Sequence, residues 1–235
     1  MNSSKSSKAL KNIVILVIIL VLPGFLYYLL TLKGRNRYKP LSFFGPKIVA
    51  KTGHTFHGRY IPDTIYHKLS PFNLTDQNGK RVTLNTFDNR IFVVSLFYTG
   101  CPEICAKVNN NMDSLVTFYT RNRMVYFASV TVDPQHDTPD KLAKYAAKYQ
   151  SPKKWLFLTG DTTTIYNLAR KGLFLNAVNA GNGQFLIEDK VALIDQEKRI
   201  RGYYSGSSIA DMNRLNDEIK VLIAEELRKI KAPEL

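Results

Sequence analysis

The stretch that most limits the fold of this chain runs from Ile91 to Cys105. Ile91–Phe97 (I-F-V-V-S-L-F) is an apolar run of strand length, the pattern of a strand covered on both faces of a parallel sheet. It leads straight into Tyr98-Thr99-Gly100-Cys101-Pro102-Glu103-Ile104-Cys105, after which Met112, Leu115, Val116 and Tyr119 recur at helical spacing. Cys101 and Cys105 are the only cysteines in the protein. If the chain is helical from Glu103 onward, positions i and i+4 lie one above the other on a single face. The two sulfurs can then share a soft metal ion or close into a disulfide.

The remaining elements fall into place around that strand. Val125–Val132 is a second buried strand, ending in Asp133-Pro134-Gln135-His136-Asp137-Thr138-Pro139. Asp140–Tyr149 is expected to be helical, with Leu142, Tyr145, Ala146 and Tyr149 on one face. Trp155–Leu158 reads as a short strand and Thr162–Lys171 as a helix ended by Gly172. Val191–Asp195 and Arg199–Tyr204 form a strand pair across a polar turn, and Ile209–Ile230 is an amphipathic closing helix. Ahead of the first buried strand, Phe72–Thr75 and Lys80–Leu84 flank Asn78-Gly79, a positive-φ turn signal that predicts a hairpin. The order predicts an α/β fold: a central mixed sheet, parallel at its centre, flanked by helices and begun by an N-terminal β-hairpin.

A length of 235 residues allows one substantial domain, and 45% hydrophobic with 22% charged residues is the composition of a folded chain. The net charge of +14 is unevenly placed. Lys5, Lys8, Lys11, Lys33, Arg35, Arg37 and Lys39 stand in a stretch without acids, leaving +7 for everything after residue 39. That placement suits lipid headgroups, and with no nucleic-acid motif in the chain no nucleic-acid partner is expected. Ile13–Leu32 is 20 residues without a charge, about the length that spans a bilayer. Pro23 and Gly24 within it are tolerated in membrane helices, and the run lacks a small-x-small cleavage site. The expected division is therefore a basic tail 1–12, an uncleaved transmembrane anchor 13–32, a linker 33–70, a folded domain 71–230 and a tail 231–235. Basic residues on both sides of the span leave the positive-inside rule without a preference. His54 and His57 are three apart, but Gly53, Gly58 and Pro62 argue against a helix that would pair them. With His67 they are expected to be solvated linker residues.

Sites in open α/β sheets collect beyond the carboxyl ends of the parallel strands. Cys101 lies just past one such end and Asp133–Pro139 just past another. The helix that follows aims its N-terminus at the sulfur, and its unsatisfied amides favour thiolate. A thiolate serves both thiol–disulfide exchange and the binding of a soft ion such as Cu(I). The plain structural alternative is a disulfide closing a loop of a few residues, which adds little stability in a domain of this size. Asp133 and Asp137, beside prolines and a helix start, are expected to order their loop and are given no catalytic role.

These stretches resemble the Sco/SenC family of membrane-anchored, thioredoxin-like copper proteins that assist cytochrome c oxidase assembly. Three residues between Cys101 and Cys105 is the family's spacing, and Val132–Pro139 resembles its second motif, V-D-P-x-x-D-T-P. The hairpin Phe72–Leu84, the segment Trp155–Gly160 and the stretch from Ile194-Asp195 to Gly202 also match, so the similarity covers roughly residues 70–225. The resemblance implies a thioredoxin-like fold behind a membrane anchor, with the domain exported to the periplasmic side of a bacterial inner membrane. It implies copper as cofactor, and as client a cytochrome c oxidase subunit or another copper or thiol protein. It makes Cys101 the attacking thiolate, Cys105 the resolving thiol, both copper ligands, and Cys101–Cys105 a disulfide when oxidised. One departure stands out. The family completes its copper site with a histidine shortly before the strand corresponding to Val191–Asp195, where this chain has Ile187 or a near neighbour, and no histidine occurs after His136. Several alternatives follow: two thiolates holding Cu(I), His136 as a third ligand, oxygen from Glu188 or Asp189, a dithiol reductant that no longer binds copper, or an assembly partner without metal chemistry.

Overall fold

In the computed structural model, which describes residues 3–32, 40–149 and 153–231, the run Ile91–Phe97 is a strand with all seven residues buried. Two compact units divide at Lys39/Pro40. The first contains a continuous helix, α1 (Ser3–Leu32), with Pro23 inside it. Among the described residues no helix is long and apolar enough to cross a membrane. Residues 33–39 of the expected linker and 232–235 of the expected tail lie outside the described residues.

The second unit holds β1 (Lys47–Phe56), β2 (Arg59–Tyr66), β3 (Asn73–Asp76), β4 (Arg81–Thr83), β5 (Ile91–Phe97), α2 (Glu103–Phe118), β6 (Val125–Thr131) and α3 (Pro139–Ala146). It continues with β7 (Trp155–Thr159), α4 (Thr162–Asn167), β8 (Ala177–Gly181), β9 (Gln184–Ile187), β10 (Lys190–Ile194), β11 (Ile200–Ser205) and α5 (Ile209–Lys231). Seven strands form one sheet in the order β11-β10-β5-β6-β7-β3-β4. β5, β6 and β7 run parallel, while β10, β11, β3 and β4 extend it antiparallel on either side. This is the expected mixed sheet with a parallel centre.

Alternation along β5 explains the two cores. Ile91, Val93 and Phe97 face one way, against Met112 and Val116 of α2, Leu142 of α3 and Leu215 of α5. Phe92, Val94 and Leu96 face the other, against Phe87, Ile165 and Leu168. Ser95 interrupts the apolar run without leaving a polar group stranded. Its hydroxyl lies 2.8 Å from that of Ser129 on β6, which accepts at 2.9 Å from the Trp155 indole.

The expected linker is corrected by the structure. Residues 47–66 form the antiparallel ribbon β1–β2, turned by His57 and Gly58, both at positive φ (48° and 75°). Two consecutive positive φ values define the turn that matches the twist of a two-residue hairpin. Upstream, residues 41–44 dock on the domain: Leu41 donates its amide to Glu225, Arg201 donates to the carbonyls of Leu41 and Ser42, and the Phe44 amide reaches the Ile200 carbonyl. The compact unit thus begins at Pro40, not at residue 71. A second unexpected ribbon, β8–β9, turns through Asn182 (φ 51°) and Gly183 (φ 70°). The expected helix Thr162–Lys171 is split: α4 stops at Asn167 and the chain winds through a wider π-type turn over Leu168–Gly172.

Candidate functional site

β5 delivers the cysteines to the carboxyl edge of the sheet. The chain turns after Phe97 with the Cys101 amide bonded to the Tyr98 carbonyl at 3.1 Å, and α2 starts at Glu103 behind Pro102. Cys101 is half-buried, whereas Cys105 sits in the first turn of α2 at 4% exposure. The two form a disulfide with their Cα atoms 5.9 Å apart. Pro102 at the N-cap makes no side-chain bond to the first-turn amides. The Cys105 amide reaches the Pro102 carbonyl at 3.2 Å, and the positive end of α2 favours negative charge on a sulfur placed beside it.

The loop after β6 supports this turn from below. Asp137, 1% exposed, accepts from the Thr99 amide at 3.0 Å, from the Thr99 hydroxyl, and from the Thr131 hydroxyl at 2.5 Å. Asp137 therefore ties the approach to Cys101 onto β6. Asp133 does not cap a backbone amide with its side chain: both its carboxylate oxygens hold Nδ1 of His136, at 2.9 and 2.8 Å. Thr138 is the residue that caps α3, through Lys141.

His136 is not drawn to the sulfurs as a third ligand. Its side chain is 63% exposed and bound to Asp133, and among the described residues no three His, Cys, Asp or Glu side chains are grouped to hold a metal ion. Ile187 does reach the site. It ends β9, packs against both cores, and lines a narrow crevice with Leu96, Ile104, Cys105, Val108, Glu188 and Asp189. Phe185 anchors the same ribbon on Tyr98, with ring centroids 5.1 Å apart.

The two carboxylates beside Ile187 are already engaged. Glu188 meets Lys190 at 2.5 Å and accepts from Asn176. Burial alone would raise its pKa, but Lys190 and Asn176 hold it below the ordinary glutamate value. Asp189 accepts the hydroxyls of Ser205 and Ser207, each at 2.5 Å. Burial would raise this carboxyl too, and the two hydroxyls with backbone amides lower it instead. Glu188 is thus neutralised by Lys190, and both serine hydroxyls converge on the same Oδ2 of Asp189. Cys101 and Cys105 bring the soft donor atoms to this edge, and thiolate sulfur suits Cu(I) better than Cu(II).

Sequence reasoning did not find Asn109, which is fully buried on α2 one turn beyond Cys105. Nor did it find the role of Ser205 and Ser207 in holding Asp189. Asn109 stood in the tract Asn109–Asn111, which offered no periodic signal of burial.

Comparison with known proteins agrees with this arrangement. The SCO1/SenC family model matches residues 63–224. An SCO1 protein homolog of Bacillus subtilis is 33% identical over 168 residues, covering 69% of this chain and 86% of the homolog. The crystal structure of a SCO1/SenC family lipoprotein from Bacillus anthracis superposes with a TM-score of 0.63 at 26% identity, over 67% of this chain and 95% of that one. BsSco, described as a Sco-family cytochrome c oxidase assembly protein with a disulfide switch, gives a TM-score of 0.59 at 25% identity, over 66% and 92%. Arabidopsis thaliana ScoI, crystallised with copper bound, shares the fold at 23% identity with a TM-score of 0.57, over 68% and 98%.

Proposed function

The chain belongs to the SCO1/SenC family, and from that premise we propose that it is a membrane-anchored dithiol protein of cytochrome c oxidase assembly. Its task in this reading is to deliver copper to a client's copper site or to keep that site's thiols reduced. The observation that carries the proposal is the asymmetric cysteine pair at the sheet edge: Cys101 half-buried, Cys105 4% exposed, joined as a disulfide. A thiol–disulfide switch needs that asymmetry, because an incoming partner can reach only one sulfur.

In the reducing direction the Cys101 thiolate attacks one sulfur of a client disulfide. A mixed disulfide forms and the first client thiolate leaves. The Cys105 sulfur then attacks Cys101, its proton passing to solvent, and the second client thiolate is released. Two electrons have moved to the client and the Cys101–Cys105 bond has formed. When both sulfurs are reduced, Cys101 and Cys105 are the ligands that would hold Cu(I), an ion that accepts low coordination. Ile187 supplies no imidazole, so Cu(II) is disfavoured. His136 has no part in binding the ion.

Residues 13–32 are assigned as the membrane anchor. Support comes from the charge-free run of 20 residues with basic residues on both sides, and from the exposure of the apolar side chains Ile15–Leu22 and Phe25–Tyr28. The description of the Bacillus anthracis relative as a lipoprotein supports an exported domain.

The test is copper and disulfide titration of the reduced full-length protein in detergent. One Cu(I) per chain is expected, and Cys101→Ser abolishes it. Absence of copper binding against a competing chelator, with reduction of a client disulfide retained, would overturn copper delivery in favour of the purely redox role. Loss of both activities would leave an assembly partner without chemistry. Ile187→His should add a Cu(II)–thiolate absorption band that the unaltered protein lacks.

A further inference from the structure

Asn109 has 0% exposure and sits one turn beyond Cys105 on the same face of α2. Its amide nitrogen donates to the Tyr145 hydroxyl at 2.8 Å, and the Tyr149 hydroxyl stands 3.5 Å from that of Tyr145. Its amide oxygen has no hydrogen-bond partner among the described residues. An acceptor buried and unpaired is unfavourable, and a fold that keeps one calls for an explanation such as a redox role.

The geometry of a helix says what that second state is. Side chains on a helix lean toward its N-terminus and lie over the preceding turn, and positions four apart are surface neighbours. Asn109 is therefore the i+4 neighbour of Cys105 on the face of α2 that both bury. In the disulfide the Cys105 sulfur bears no hydrogen and offers the amide oxygen nothing. Reduction breaks the S–S bond, adds two electrons and two protons, and leaves an S–H donor on the buried Cys105.

We propose that Asn109 is a positioning residue for the redox pair, whose Oδ1 accepts a hydrogen bond from the Cys105 thiol once the disulfide has opened. The bond exists only in the dithiol form, so it shifts the dithiol/disulfide equilibrium toward the reduced state. It also fixes the resolving sulfur in place while Cys101 engages a partner. This inference rests on the reading that the pair cycles between dithiol and disulfide.

The experiment equilibrates the full-length protein in glutathione buffers, where two glutathione thiols supply the electrons and protons and become glutathione disulfide. The reduced fraction is counted by alkylation and mass. Asn109→Leu is expected to favour the disulfide about tenfold, equivalent to a reduction potential about 30 mV more negative. Asn109→Ala, which cannot overpack the site, should move it in the same direction. Thermal unfolding of the two redox forms should show Asn109→Leu lowering the reduced form's melting temperature more than the oxidised form's. Equal shifts in both forms with an unmoved equilibrium would mean a merely structural amide and would overturn the proposal. So would an equal redox shift from Tyr145→Phe, since that places the effect in the tyrosine pair. A wild-type protein that never interconverts in these buffers defeats the redox reading itself. A cycling wild type with unmoved Asn109 variants defeats the Asn109 inference alone.

Discussion

Two carboxylates are buried at opposite ends of the same sheet, and they are satisfied by different means. Asp195, 0% exposed, lies at the foot, beyond the end of β10 that pairs with the start of β5. It binds Arg199 at 2.9 Å and Arg201 at 3.3 Å, and Arg201 continues to Glu225 at 2.7 Å. Asp137, at the cysteine edge, is held chiefly by neutral donors, namely an amide and two hydroxyls, with Lys141 3.4 Å away and half exposed. The foot joins charge to charge and clamps residues 41–44 in place. The cysteine edge uses directional bonds that fix the orientation of one short turn. A charge cluster suits a position that must hold, and short hydroxyl bonds suit one that must aim.

Breaking the foot should have the largest effect. Arg201→Met leaves Glu225 and part of Asp195 facing a low-dielectric interior, and should lower stability by about 3–5 kcal/mol in urea unfolding. It should also make residues 40–46 the first site of limited proteolysis. Asp137→Ala comes next. Loss of its bonds to Thr99 and Thr131 should cost about 2 kcal/mol, and thiol–disulfide exchange at Cys101 should slow by more than the stability loss alone would produce. Equal exchange rates in this variant and the wild type would erase the distinction between holding and aiming.

A pH series gives a smaller effect at the cysteine end. The Asp189 carboxyl lies below its unfolded value, so the folded state holds this proton less readily than the unfolded chain. Its contribution is complete above the ordinary aspartate range near ~4 and is lost as pH falls through the lowered folded value. Ser205→Ala with Ser207→Ala should remove that acid-side slope, at about 1 kcal/mol near neutrality, measured by unfolding between pH 3 and 7. Lys141→Gln should matter least, by about 0.5 kcal/mol or less, because its ammonium is largely solvated.

What was readable in the sequence follows from the range of the interactions involved. β5, β6, α2 and the cysteine spacing were legible because periods of 2 and 3.6 and an i, i+4 pair are local patterns. The β3–β4 hairpin was legible through Asn78-Gly79, and its turn is held by Asp76 accepting from the Asn78 and Lys80 amides at 2.8 Å. The β8–β9 ribbon carried the same kind of signal in Asn182-Gly183, but its strands are short and only half covered. In β1–β2 the turn residue before Gly58 is a histidine, and the glycines and proline nearby read as loop. Arg201 gave no sign of burial, since its partner Leu41 lies 160 residues away. The position of Ile187 against Cys105 followed from family resemblance, whereas the pairing of His136 with Asp133 needed three dimensions.

The β1–β2 ribbon has a consequence for the protein as a material. Ile48, Val49, Phe56, Tyr60, Ile61 and Ile65 are all exposed on it, and among the described residues its two strands pair only with each other. Both long edges present free backbone groups beside apolar side chains, the combination from which strands of different molecules add to one another. The ribbon is thus the colloidal weak point of the molecule. Preparations that keep it will become turbid as they are concentrated, and charge placed at Val49 or Ile65 will raise the concentration at which that happens.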